Sequence, residues 1–153
     1  MKQRLPYAKL SPKGVEAMRG LQAYVESSGL AHSLLELVKL RASQLNGCAY
    51  CVDIHTRDAR KAGESEARLY AVAVWHESPF FTARERAALA WCEAVTLIAE
   101  SRVPDEAFAE AQRQFSEKEL VDLTFAIVAI NGWNRLAVTF RQQPAAAPAA
   151  AAQ

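Results

Sequence analysis

Three things are scarce in this 153-residue chain: glycine (six residues), cysteine (three) and any excess of charge. Few glycines and no long period-two alternation leave little from which to build hairpins or a sheet. A formal net charge of +1, with basic and acidic residues interleaved, gives no electrostatic basis for binding nucleic acid. No apolar run approaches the roughly 18 residues of a membrane helix. The N-terminal "MKQRLPYAKLSPKG" lacks an apolar segment of signal-peptide length. These absences predict a cytoplasmic protein with no membrane partner, in a compartment that keeps thiols reduced. Three cysteines cannot all pair within one chain. There is no phosphate-binding glycine loop, no dinucleotide fingerprint and no GxSxG elbow.

What is present reads as helix. Hydrophobic residues make up 51% of the chain, enough for one domain with a real core. A first helix is expected from Ser11-Pro12 to Ser28-Gly29, Pro taking the first helical position. A second runs from about Ser33 to Asn46, with Leu34, Leu37, Val38, Ala42 and Leu45 on one face and Gly47 as stop signal. A third starts near Cys48 and ends at Lys61-Ala62-Gly63. A fourth covers about Glu64 to Trp75. A fifth opens with a capping box at Thr82 and Glu85 and continues to about Glu100. Pro104 opens a sixth, to about Gln114. Ser116 and Glu119 cap a long last helix to about Arg141, apolar enough to be central or buried between subunits. The expectation is an all-α fold of about six to seven helices over residues 1–143, followed by an Ala/Pro-rich tail, 144–153, that does not join the core.

The chemistry concentrates in "NGCAYCVDIH", Asn46–His55. Cys48 falls at a helix start and Cys51 in its first turn, where the dipole and free N–H groups favour a thiolate. His55, four residues after Cys51, shares its face and can take the thiol proton. Glu36 comes within reach if Gly47 reverses the chain into a helical hairpin, although spacing does not force the contact. Glu36 also follows Ser33 by three residues and could serve as the acidic half of a capping box. Asp53 and Arg57 fall on other faces, solvated. The pair could be half of a zinc site, with Glu36 and His55 or the isolated His32 and His76 as further ligands, but four well-spaced ligands are not evident. Cys92 sits among apolar residues as a small buried hydrophobe. Trp75, Trp91 and Trp133 read as core or interface aromatics. "NGWNR", Asn131–Arg135, is polar within an apolar helix and suits either the site or a subunit contact.

The order Glu36, Cys48, Cys51, His55 resembles the alkylhydroperoxidase AhpD family of the carboxymuconolactone decarboxylase-like superfamily. The stretches "ELVKLRASQLNGCAYCVDIHTRDARKAG" (36–63), "FTARERAALAWCEAVTLI" (81–98) and "NGWNRLAV" (131–138) resemble it as well. The resemblance implies an all-α, AhpD-like fold with a catalytic helix hairpin, assembled as a homo-oligomer, trimer or hexamer. It implies a thiol peroxidase acting on hydrogen peroxide or alkyl hydroperoxides. Cys51 would attack and become a sulfenic acid, Cys48 would close a Cys48–Cys51 disulfide, and Glu36 and His55 would relay protons. The partners implied are a peroxide and a dithiol reductant such as one of the dihydrolipoamide type; no cofactor and no metal are called for. The alternatives are a general thiol–disulfide oxidoreductase or redox sensor, and a scaffold with a structural metal. The decarboxylase branch lacks the cysteine pair, which argues against lactone decarboxylation. In one respect the chain departs from the family: Tyr50 stands where the best-known members carry a second histidine, and a phenol of pKa about 10 is a poor base near neutral pH.

Overall fold

The computed structural model describes residues 2–144, and every described element is helical. The order is α1 (Tyr7–Leu10), α2 (Pro12–Glu26), α3 (His32–Leu45), α4 (Ala49–Lys61), α5 (Glu66–Ala71), a 3₁₀ turn (Val72–Val74), α6 (Ala83–Thr96), α7 (Ile98–Ser101), α8 (Asp105–Gln114) and α9 (Glu117–Phe140). The all-α reading holds. The expected 144–153 tail lies, except for Pro144, outside the described residues.

The capping signals act as the sequence implies. Ser116 Oγ accepts from Glu119 N at 3.3 Å while Glu119 Oε2 accepts from Ser116 N at 2.9 Å. Thr82 and Glu85 form the same reciprocal pair at the start of α6. Each box satisfies two N–H groups that a helix start leaves without partners.

Nine α-helices stand among the described residues, where six to seven were expected. The surplus comes from single turns. Residues 7–10 coil once before Pro12. The fifth helix stops at Thr96 instead of reaching Glu100: Leu97 leaves helical geometry at ψ 35°, and the Ser101 hydroxyl donates to the Ala94 carbonyl at 2.6 Å. A side chain that bonds a nearby carbonyl competes with the helical ladder, a contest periodicity does not register. The fourth helix is shorter than its expected span and tightens into the 3₁₀ turn after Ala71.

The core is organised around α3, which packs on α4, α6 and α9. Leu34, Leu35, Val38 and Ala42 join Val25, Trp91, Leu123 and Ile127 in one cluster. Leu37 and Leu40, on the other side of the same helix, join Leu69, Val72, Trp75 and Leu89 in a second. A helix apolar on both sides must be enclosed. Glu36 and Lys39 are carried inside with it, at 3% and 8% exposure.

The long last helix is only half enclosed. Leu120, Leu123, Ile127 and Ile130 face the core, whereas Val121, Phe125 and Val128 are exposed. By length and composition α9 could also cross a membrane. Here it packs on α2, α3 and α6 and buries ten residues, as a core helix does.

Candidate active site

The turn between α3 and α4 sets the site. Gly47, at φ +64°, takes the left-handed conformation that favours glycine. Its N–H donates to the Gln44 carbonyl at 3.1 Å, and the Cys48 N–H donates to the Ser43 carbonyl at 2.9 Å. These two bonds form a Schellman motif, which closes α3 and turns the chain back. Cys48 then acts at the other end of the turn: as N-cap of α4, its sulfur accepts from the Cys51 N–H at 3.3 Å. One residue therefore ends one helix and starts the next. Its place is fixed by its backbone and its side chain together.

The two cysteine sulfurs are at disulfide distance, with Cα atoms 5.4 Å apart, inside the ordinary range for a bridge. Their surroundings differ. Both are buried, at 4% exposure for Cys51 and 2% for Cys48, but Cys51 lines a cavity of about 780 Å³ and Cys48 does not. The walls include Val15 and Gln22 of α2, Ile54 of α4, and Ala126, Ile130 and Trp133 of α9. His55, Glu36 and Lys39 border the same space. The indole N–H of Trp133 is buried without a hydrogen-bond partner, the one such side-chain atom among the described residues.

Glu36 and His55 meet, which spacing alone did not require. Glu36 Oε2 lies 2.8 Å from His55 Nδ1. Glu36 lies eleven residues before Gly47 and His55 eight after it, so the antiparallel hairpin sets the two helices side by side without making these positions level, and the side chains span the remaining offset. The capping-box alternative for Glu36 is excluded. Helix α3 begins at His32 with Ala31 as N-cap, no side chain caps it, and Ser33 is already helical.

The second carboxylate oxygen, Oε1, accepts from Lys39 Nζ at 2.8 Å. His32 Nε2, largely exposed, is 3.8 Å from the same oxygen. Burial pushes the Glu36 carboxyl up, but the His55 hydrogen bond and charge, together with those of Lys39, outweigh it and hold the group down to about 2. Glu36 is thus an anion at neutral pH and can only accept. His55 Nδ1 must carry the proton it donates, and in the neutral ring Nε2 is left as the basic atom.

Lys39 was missed in the sequence. Its signal is faint but present: a lysine three residues after the glutamate inside "LELVKL", where both neighbouring helix faces are apolar. Tyr50 is half-buried and borders the cavity, as does Tyr7, whose hydroxyl is pushed up by burial and by Tyr50. Asp53 and Arg57, expected to be solvated, pair with each other near the surface. Cys92 is fully buried, its thiol pushed up to about 12 chiefly by that burial. No cluster of three or more metal-ligating side chains occurs among the described residues.

"NGWNR" resolves into separate roles. Trp133 borders the cavity. Asn131 Oδ1 and Asn134 Oδ1 both accept from Asn46 Nδ2, at 3.0 and 2.9 Å. Asn134 Nδ2 donates to Ser43 Oγ at 3.1 Å. This buried network ties the last turn of α3, immediately ahead of Cys48, to the middle of α9.

Comparison with known proteins agrees with this fold. The sequence model of the Carboxymuconolactone decarboxylase family matches residues 11–94. The uncharacterised protein YdfG of Bacillus subtilis is 41% identical over 145 residues, 95% of this chain and 99% of its own. The uncharacterised protein YnjA of Escherichia coli is 34% identical over 91 residues, 60% of this chain and half of its own length. Among solved structures, a protein of unknown function from Agrobacterium tumefaciens, provisionally assigned to antioxidant defence as AhpD, superposes with a TM-score of 0.93. It shares 50% identity and covers 95% of this chain and all of its own. The debrominase Bmp8 shares the fold, with a TM-score of 0.81 at 23% identity over 90% of this chain and 74% of its own.

Proposed function

The chain belongs to the carboxymuconolactone decarboxylase family, as an AhpD-like member, and from that premise we propose that it is a thiol-dependent peroxidase reducing hydrogen peroxide or alkyl hydroperoxides. The observation that carries the proposal is the asymmetry of the pair. Cys51 borders the cavity in company with a histidine held by an ionised carboxylate, and Cys48 stands behind it.

In the proposed cycle His55 Nε2 takes the Cys51 thiol proton, and Glu36 steadies the imidazolium that forms. The start of α4 favours the resulting thiolate. The thiolate sulfur attacks the outer peroxide oxygen. The O–O bond breaks, the sulfur gains that oxygen as a sulfenic acid, and the departing alkoxide takes the proton from His55 to leave as alcohol. The Cys48 thiol then displaces the sulfenic oxygen as water and closes the disulfide. A dithiol reductant, of the dihydrolipoamide type, returns both cysteines to thiols while becoming a disulfide itself. We place this cycle in the cytoplasm, where such dithiols are maintained.

Incubation with peroxide and a dithiol tests this. Wild type consumes peroxide, Cys51→Ser does not, and Cys48→Ser traps a sulfenic acid on Cys51 that reacts with dimedone. Full activity in Cys51→Ser refutes the proposal. Tyr50 favours a second reading, thiol–disulfide exchange with weak peroxidase activity, because the position offers no base near neutral pH. A reduction potential outside the range of cellular dithiols eliminates that one. We further propose a homo-oligomer, trimer or hexamer, supported by Val121, Phe125 and Val128 exposed at helical spacing on α9. A monomer in light scattering at micromolar concentration overturns it.

A further inference from the structure

We propose that Lys39 is a positioning residue of this site, whose ammonium occupies one oxygen of Glu36 and so keeps His55 a neutral base facing the cavity. The inference rests on the peroxidase reading for its purpose, though not for its measurement.

A buried ammonium needs a reason. Lysine is almost never fully enclosed unless paired, and a buried ion pair is poor evidence for stability, because desolvation offsets the attraction. Lys39 is 8% exposed and stands three residues after Glu36 on the same helix. Its Nζ has one protein acceptor among the described residues, Glu36 Oε1, and that oxygen is not the one His55 uses. The ammonium and the imidazole therefore flank one carboxylate, each on its own oxygen.

This arrangement has an electrostatic consequence. A carboxylate beside an imidazole draws a second proton onto the ring, and a doubly protonated ring cannot take a proton from Cys51. A fixed positive charge on the same carboxylate opposes that second proton, since like charges close together disfavour ionisation. The hydrogen bond to Oε2 and the ring orientation survive, and Nε2 stays free.

The other ionisable groups bordering the cavity leave Lys39 as the nearest fixed positive charge. On α3, His32 lies 3.8 Å from Oε1 but is largely exposed, so solvent screens it. On α4 they are Asp58, Tyr50 and Cys51 itself, and the N-terminal segment and α2 supply Tyr7, Lys9, Arg19 and Glu26. The residues of α9 that border the cavity, among them Ala126, Ile130 and Trp133, carry no ionisable group.

The test uses Lys39→Met, Lys39→Gln and Lys39→Arg in the full chain with the cysteines reduced, each first shown to be folded by circular dichroism. ¹⁵N NMR of the His55 ring is followed across pH, in parallel with the pH profile of peroxide consumption. In Lys39→Met and Lys39→Gln the doubly protonated ring persists about one pH unit higher than in wild type, and the acid limb of activity moves with it. Lys39→Arg restores both. A ring that titrates alike in wild type, Met and Gln proteins overturns the proposal. So does a shift in Met that Gln abolishes, because the hydrogen bond and not the charge would then be the agent. If the ring shifts as stated but no protein consumes peroxide, the role of Lys39 stands and the peroxidase reading falls.

Discussion

Replacing Glu36 with Gln removes the charge around which His55 and Lys39 are arranged, and its cost can be worked out. The carboxyl falls from 4.5 to about 2 on folding, after burial has been set against its two partners. At about 1.4 kcal/mol per unit, this difference corresponds to roughly 3 kcal/mol of stability at neutral pH. Since the folded value is the lower one, the contribution is complete well above pH 4.5 and drains away as the pH drops toward 2. Glu36→Gln lacks it at every pH. Urea unfolding of reduced wild type and Glu36→Gln should therefore differ by about 3 kcal/mol at pH 7 and by less than about half of that at pH 3. The Lys39 ammonium, left buried without a counter-charge, acts in the same direction at neutral pH. A gap that is equal at both pH values, or below about 1 kcal/mol at pH 7, would show that the carboxylate is not held as the structure describes.

Four further outcomes follow from the same geometry. Cys92, buried with its thiol pushed up to about 12, should resist alkylation in the folded, reduced protein and react only when urea unfolds it. Asn134→Ala should cost about 1 kcal/mol in urea unfolding, because it removes the hydrogen bonds to Asn46 and Ser43, while both keep other partners. Gly47→Ala forces a side chain into φ +64° and should cost about 1 kcal/mol, with slower re-formation of the Cys48–Cys51 bridge in stopped-flow oxidation. Tyr50→His supplies a base between the cysteines and should raise the rate of peroxide consumption near neutral pH; an unchanged rate would remove Tyr50 as the limiting position.

The boundaries that could be read in the sequence were those written in local chemistry. Thr82 with Glu85, Ser116 with Glu119, and Gly47 act within four residues of where they stand, so spacing alone reveals them. The step from Cys51 to His55 is local in the same sense. What escaped depends on which helix lies opposite. Ser33 with Glu36 reads as a capping box until the helix is seen to begin one residue earlier, at His32. The burial of Lys39 becomes visible only when α4, α6 and α9 pack around α3. The break at Leu97 depends on a hydroxyl returning from Ser101, which carries no periodic signature.

The same reasoning explains why the two cysteines are not equivalent even though they share a helix end. A bare pair at a helix start gives both sulfurs the benefit of the dipole. Here the Schellman turn fixes the backbone of Cys48, and the Cys51 N–H occupies its sulfur. Asn46, two residues earlier, is tied to α9 through Asn131 and Asn134. Cys48 is thus held from both directions and does not line the cavity, while Cys51 lines it together with the oriented His55. The order of attack proposed for the pair is therefore a property of the turn and of the helix behind it. Exchanging the roles of the cysteines would require moving α9, and Asn131→Ala combined with Asn134→Ala should loosen that assignment before it abolishes the fold. In mass spectrometry of peroxide-treated protein, carried out with dimedone present to intercept the sulfenic acid, the double variant should show adducts on both sulfurs where wild type shows them on Cys51 alone. Adducts confined to Cys51 in the double variant would place the cause of the asymmetry within α4 itself.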